Sequence, residues 1–251
     1  MVVQIPIQRI QVPPGQRVLL REVSWEEFEA ILQELGDRRS ERVAYCDGLL
    51  EIMAPLPEHE YFKETIGDAI KDMAETLDLN YESYGSTTWR KQAKQAGLES
   101  DNCFYFQNEA RIRGKLQFDL TQDPLPDLAL EIDVTSQSLE RFPIYARLGV
   151  PELWCCDTGR LRIYHLQDEQ YVEVECSSIF PQLDIAALSR LIEAKRSEGR
   201  LALRRSVRAW VRQQMQEWGE RPQLHCPTSY LFSSRFPEVL ENVPAQISHL
   251  Q

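Results

Sequence analysis

Along residues 126–134, Pro-Asp-Leu-Ala-Leu-Glu-Ile-Asp-Val, apolar and polar positions alternate with a period of two. Leu128, Leu130, Ile132 and Val134 fall on one side, and Asp127, Ala129, Glu131 and Asp133 on the other. The alternation predicts a core strand over 128–134, bounded by prolines before it and by Thr135-Ser136-Gln137-Ser138 after it. Two β-rich runs, 42–45 and 49–53, flank the turn signal Cys46-Asp47-Gly48 and predict a hairpin. Further strands are predicted at 80–84, 102–106, 115–119, 152–156, 160–165 and 171–175, with 86–97 as a polar connection.

Elsewhere the period lengthens to that of a helix. Ser24-Trp25-Glu26-Glu27 has the form of a capping box, opening a helix that runs to about Leu35 with Gly36 as its cap. Phe62, Ile66, Ala69, Ile70, Met73 and Leu77 mark a longer helix beginning at Glu58. Helices are also expected over 139–148, ended by Gly149, and over 183–194. Leu203, Val207, Trp210, Val211 and Met215 form an amphipathic stripe that needs a partner surface, the parent domain or a second copy. The whole reads as an α/β (α+β) fold, a mixed sheet flanked by helices. Residues 1–178 form the domain, and 179–251 a helical extension with an extended tail.

The acidic side of the 128–134 strand raises a physical problem. Its neighbouring members lie about 6.6 Å apart, and unpaired carboxylates in a partly buried setting repel one another and resist desolvation. A solvent-facing side of a sheet would carry such a row without penalty. Alternatively, a cation offsets it. Glu99-Ser100-Asp101 stands at the entrance of the 102–106 strand, so Asp101 and Glu131 would converge if that strand neighbours 128–134. Two or three such carboxylates, with water and a phosphate, suit Mg²⁺ or Mn²⁺.

Composition narrows the classes. The chain has 251 residues, 43% of them hydrophobic, with no apolar window long enough for a membrane span and no signal pattern at its start, so a soluble, cytoplasmic protein is expected. Six cysteines without a CxxC pair read as reduced thiols. A net charge of −11 argues against coating nucleic acid by bulk electrostatics. Seven basic residues against one acid between Lys195 and Arg212 allow a local basic surface, or a solvated helix face.

Four blocks in order then resemble the Uma-two family, a group of restriction-endonuclease-type proteins abundant in cyanobacteria and related to the PD-(D/E)xK nuclease superfamily. They are Cys46-Asp47-Gly48 with Leu50-Glu51-Ile52-Met53 and Pro57-Glu58-His59; Glu99-Ser100-Asp101; Pro126-Asp127-Leu128 running to Glu131; and Tyr145-Ala146 with Leu148-Gly149-Val150-Pro151-Glu152-Leu153-Trp154. The resemblance covers roughly 20–175 and implies a restriction-endonuclease-like fold with metal-dependent phosphodiester hydrolysis. It makes Asp101 the first metal-binding aspartate and Glu131 the acid of the (D/E)xK element. Asp133 stands where the superfamily lysine would sit and cannot supply its positive charge. Lys91, beside Arg90, is the first choice for a migrated cation, and Asp133 is an alternative metal ligand.

His59 is a general acid/base candidate or a structural pin for its Pro-rich loop. A first-helix glutamate, Glu58 or Glu64, completes the expected metal shell. The function this implies is a Mg²⁺-dependent endonuclease acting on nucleic acid, with DNA the expected substrate and a homodimer the expected form. The competing reading is an inactive relative that binds nucleic acid or protein.

Overall fold

The computed structural model describes residues 6–36, 40–119, 122–133 and 140–220. In chain order its strands are β1 (Arg17–Leu20), β2 (Arg42–Cys46), β3 (Leu49–Met53), β4 (Glu82–Ser83), β5 (Thr88–Lys91), β6 (Ala96–Glu99), β7 (Asn102–Tyr105), β8 (Leu128–Asp133), β9 (Glu152–Asp157), β10 (Arg160–Gln167) and β11 (Gln170–Val174). The helices are α1 (Trp25–Leu35), α2 (Pro57–Thr76), the single turn α3 (Glu109–Ile112), α4 (Arg141–Leu148), α5 (Ile185–Lys195) and α6 (Arg200–Glu220).

The strands divide between two sheets. One is antiparallel throughout, in the order β1-β3-β2-β6-β5. The other has the order β11-β10-β9-β8-β7-β4 and is mixed, because β8 and β9 pair in parallel. A parallel neighbour cannot be reached by a tight turn, so the chain needs a crossover between β8 and β9, and α4 lies within it.

Alternation along the strands builds three apolar layers. Val43, Tyr45, Leu50 and Ile52 face α1, packing on Trp25, Phe28 and Leu32. The capping box at Ser24 fixes where α1 begins: Glu27 N donates to Ser24 Oγ (3.1 Å) and Ser24 N to Glu27 Oε2 (2.7 Å). The opposite side of that sheet contributes Ala44, Trp89, Ala96 and Leu98 to a second layer, which meets Ala129 and Leu153 of the mixed sheet around Ile144, Tyr145 and Leu148 of α4. The far side of the mixed sheet, with Leu128, Leu130, Ile132 and Trp154, packs on Ile66, Ile70 and Met73 of α2 and on α5 and α6.

The strand pattern departs from the sequence reading in two places. Residues expected as a polar connection form the β5–β6 hairpin, closed by a 3-10 turn over Gln92–Lys94 with Gln95 left-handed at φ 46°. Trp89, Ala96 and Leu98 are buried there, but the polar residues between them mask the alternation. The 115–119 strand is absent. Tyr84 Oη instead donates to the carbonyls of Ile112 (2.9 Å) and Lys115 (3.1 Å), and Phe118 packs edge-on against Tyr84 and Trp89, which holds the segment without a ladder.

The stripe of α6, which the sequence offers to the parent domain or a second copy, packs on the parent domain: Leu203, Val207 and Val211 are buried in the layer formed with α2 and α5. The basic run is also partly spent there. Asp72 is fully buried on α2 and lies 2.9 Å from Arg204 Nε and 2.6 Å from Arg208 Nη2, while Arg200 Nη1 donates to Thr65 Oγ1 (2.9 Å). No described helix is long and apolar enough to cross a membrane. The tail expected over 219–251 lies outside the described residues, apart from the last turn of α6.

The geometry around Asp72 sets an order of severity. Removing both cations strands a buried carboxylate, which costs about 3–5 kcal/mol; removing Asp72 leaves two partly exposed guanidiniums that water can solvate. In urea denaturation the double variant Arg204→Ala/Arg208→Ala is expected to lose about that amount, and Asp72→Ala distinctly less. Equal losses would show that stranding the buried carboxylate costs no more than stranding the two guanidiniums.

Candidate active site

The chain passes from one sheet to the other in two residues. β6 ends at Glu99, β7 begins at Asn102, and Ser100 and Asp101 between them are buried. Asp101 is fixed to β8, its Oδ2 accepting from Ile132 N at 2.7 Å. In β8, parity sends Leu130 and Ile132 toward α2 and sends Glu131, like Ala129, toward α4. The acidic row seen in the sequence therefore splits. Asp127 is a turn residue, accepting from Phe106 N (2.7 Å), Asn108 N (3.0 Å) and Asn108 Nδ2 (2.6 Å). Glu131 enters the seam between the sheets. Asp133 ends the strand, and its side chain lies outside the described residues.

Four further elements converge on the seam. From the first turn of α2, His59 Nε2 lies 3.1 Å from Asp101 Oδ1. From β2, Arg42 places Nη1 3.2 Å from Glu99 Oε1, Nη2 3.3 Å from Glu60 Oε1 and Nε 3.7 Å from Asp101 Oδ1. From α4, Arg141 Nη1 lies 2.7 Å from Glu131 Oε1, and Tyr145 Oη donates to Glu131 Oε2 at 2.6 Å. From β3, Glu51 sits between Arg141 Nη2 (3.8 Å) and Arg17 Nη1 (3.6 Å). Asp101, Glu131, His59 and Arg141 are each at most 3% exposed.

Burial and neighbours set the protonation states. For Asp101, burial raises the carboxyl pKa, but His59, then Arg141 and the Ile132 N–H, outweigh it and hold it below the usual carboxylate range. For Glu131, burial dominates, Arg141 opposes it and the Asp101 charge adds to it, leaving the group at about 7. Burial pushes His59 down, yet Asp101, Glu131 and Glu60 prevail, so the imidazole is raised. Tyr145 is driven well above its ordinary value by burial and by Glu131, and so remains a phenol donor.

The placement of the sequence candidates follows from these contacts. Asp101, Glu131 and His59 come together. Lys91 does not join them: its Nζ donates to Leu148 O (3.3 Å), at the opposite end of α4 from Arg141. Glu58 is exposed, and it is Glu60 that turns inward to Arg42. Sequence reasoning missed Arg42, Arg141 and Tyr145. A signal existed for the last two: spacing of four residues on a helix that follows the acidic strand puts both on one face.

A divalent ion fits one part of this arrangement. Asp101 Oδ1 is buried and makes no well-aligned hydrogen bond, and the same holds for both ring nitrogens of His59. A hard cation satisfies such an oxygen, and each Glu131 oxygen keeps a lone pair beyond those used by Arg141 and Tyr145. Among the described residues, no three His, Cys, Asp or Glu side chains are already gathered into a metal site.

The raised Glu131 has a stability consequence whose sign is fixed by linkage. With a folded pKa of about 7 against an ordinary 4.5, the folded state holds the extra proton between those values, so its contribution is full below 4.5 and is lost as pH rises through 7. Denaturation midpoints across pH 4.5–8 are expected to fall more steeply for the wild type than for Glu131→Gln. Parallel profiles would show that Glu131 titrates as an ordinary carboxylate.

Among curated proteins there is no match. Among solved structures, one similar chain is that of a "putative nuclease belonging to DUF820" from Anabaena variabilis ATCC 29413, with 12% sequence identity over 67% of this chain and 90% of that one, at a TM-score of 0.43. The Uma2 family, described as "Putative restriction endonuclease", matches residues 25–204, the stretch from the start of α1 into α6 that includes Arg42, His59, Asp101, Glu131 and Arg141, and the chain belongs to that family.

Proposed function

We propose that the protein is a divalent-metal-dependent nuclease that hydrolyses phosphodiester bonds in nucleic acid, with DNA as substrate and the seam between the sheets as its active site. The observation that carries this reading is the buried pair Asp101 and Glu131, with an oxygen on the first that makes no well-aligned hydrogen bond and the Arg141 guanidinium 2.7 Å from the second. Asp101 and Glu131 would hold a Mg²⁺ or Mn²⁺ ion, which when bound supplies an activated water and polarises a phosphoryl oxygen.

The remaining work falls to the chain itself. Arg141 takes the part that a lysine at position 133 would have played. Its pKa is raised, chiefly by Glu131 against the opposing effect of burial, so it stays charged, and its Nε is buried without a partner. That charge suits stabilising a phosphate on which negative charge develops, and it cannot act as a base. His59, its pKa raised beside Asp101 with Nε2 3.1 Å from Oδ1, is the candidate to give a proton to a leaving oxygen. Arg42 pairs with Glu99 and Glu60 and, with Nε 3.7 Å from Asp101 Oδ1, brings positive charge to the same oxygen.

A second reading, an inactive relative that binds nucleic acid or protein, is favoured by the same ion pairs. Arg17, Arg42 and Arg141, with His59 when protonated, match Glu51, Glu99, Asp101 and Glu131 in number, so the acids can be offset without a metal.

Cleavage of DNA and RNA with Mg²⁺ or Mn²⁺, together with Mn²⁺ titration, separates the two. The nuclease reading expects EDTA-sensitive cleavage, lost in Asp101→Asn and Glu131→Gln. It expects about 10²–10³ slower cleavage in Arg141→Ala, as for loss of one transition-state donor, and near-normal cleavage in Lys91→Ala. No cleavage and no Mn²⁺ binding would leave the inactive reading standing.

A further inference from the structure

Arg141 divides its guanidinium among several acceptors. Its Nη1 lies 2.7 Å from Oε1 and also donates to Glu99 O at 3.4 Å, while Nη2 faces Glu51 Oε1 at 3.8 Å, so the guanidinium is not dedicated to fixing one carboxylate plane. The terminal torsion of a glutamate is broad and roughly two-fold. A guanidinium shared in this way therefore leaves a second point of contact to set the direction of the Glu131 oxygens. The second point is Tyr145 Oη, which donates to Oε2 at 2.6 Å from one helical turn further along α4.

The two contacts differ in kind. Arg141 brings charge, while the Tyr145 phenol brings a direction and no charge. Its ring is fully buried in the layer with Leu98, Ala129, Ile144 and Leu153, so the hydroxyl has little freedom of its own. Because the ring packs independently of the hydroxyl, the direction of the Glu131 oxygens can be removed without removing the packing.

We propose that Tyr145 is the positioning residue of this site: its hydroxyl sets the plane of the Glu131 carboxylate and thereby selects a small, geometrically demanding divalent ion at Asp101 and Glu131. The proposal rests on the metal-dependent reading above. Mg²⁺ demands near-octahedral oxygens at short range, Mn²⁺ is similarly small and six-coordinate though less strict, and Ca²⁺ accepts six to eight oxygens in variable geometry. Loss of the hydroxyl should therefore weaken Mn²⁺ more than Ca²⁺. Groups that orient a metal ligand typically account for about 10–100-fold in affinity.

The test is Mn²⁺ and Ca²⁺ titration, by calorimetry and by the Mn²⁺ spin-resonance signal, on the full chain carrying Tyr145→Phe. Tyr171→Phe is the control, because it also deletes a phenol packed against the same layer, one that donates to Val150 O (2.6 Å) away from the acids. The expected result is Mn²⁺ affinity reduced about 10-fold or more in Tyr145→Phe, a smaller change for Ca²⁺, unchanged circular dichroism, and wild-type affinities in Tyr171→Phe. Equal losses for the two ions, wild-type Mn²⁺ affinity, or a Tyr145→Phe chain that no longer folds would each overturn the proposal. A wild-type chain that binds no Mn²⁺ would instead overturn the metal-dependent reading on which it stands.

Discussion

Four carboxylates buried along one seam are the constraint around which the rest of the molecule is arranged. Taking a charged group out of water costs several kcal/mol even after relaxation, and the cost is offset only where a partner of opposite sign is held in good geometry. Glu51, Glu99, Asp101 and Glu131 come from β3, the end of β6, the β6–β7 connection and β8, and their partners come from β1, β2, α2 and α4. No single hairpin or helix can satisfy the set. The two sheets, the N-terminus of α2 and the crossover helix must all be in place before the charges balance, so the ionic cluster makes the fold around it a single requirement.

The same arithmetic explains why the cluster sits where it does. The layers on either side are apolar and closely packed, with α1 covering one face of the antiparallel sheet and α2, α5 and α6 covering the far face of the mixed one. Between the sheets, α4 is eight residues long, so part of the seam beside it is closed by side chains other than its own. Long charged side chains fill that part, their heads meeting near Asp101. The arrangement gives a site of low polarisability in which any charge is strongly felt, and the displaced Glu131 and His59 pKa values are its direct expression.

Much of the fold was legible because its signals are local. The capping box at Ser24, the Asp-Gly turn between β2 and β3, and the alternation of β8 each involve residues within a few positions of one another, and each appears in the structure. Asp101, His59 and Glu131 were legible as candidates because carboxylates and a histidine near strand and helix ends are chemically conspicuous. Arg42 and Arg141 were not, since an arginine in a polar sequence looks like any surface arginine until the sheets bring it inside. Lys91 shows the converse. It stands three residues after Thr88 on an edge strand, and its reach toward the end of α4 rather than the acids depends on the register of β5 against β6, which composition does not encode.

The two-residue passage from β6 to β7 has an architectural consequence. With Ser100 and Asp101 as the whole connection, Glu99 and Asn102 are separated by at most about 11 Å of extended chain, and the sheets cannot slide past one another without dragging the aspartate. Insertions are tolerated where slack can be stored, and here there is none. One added residue would reverse which side of β7 each following side chain occupies, sending Phe104 toward α4 and Tyr105 toward α2. Outer loops can store an added residue as slack, but at this crossing the length of the chain is as much a part of the site as its side chains.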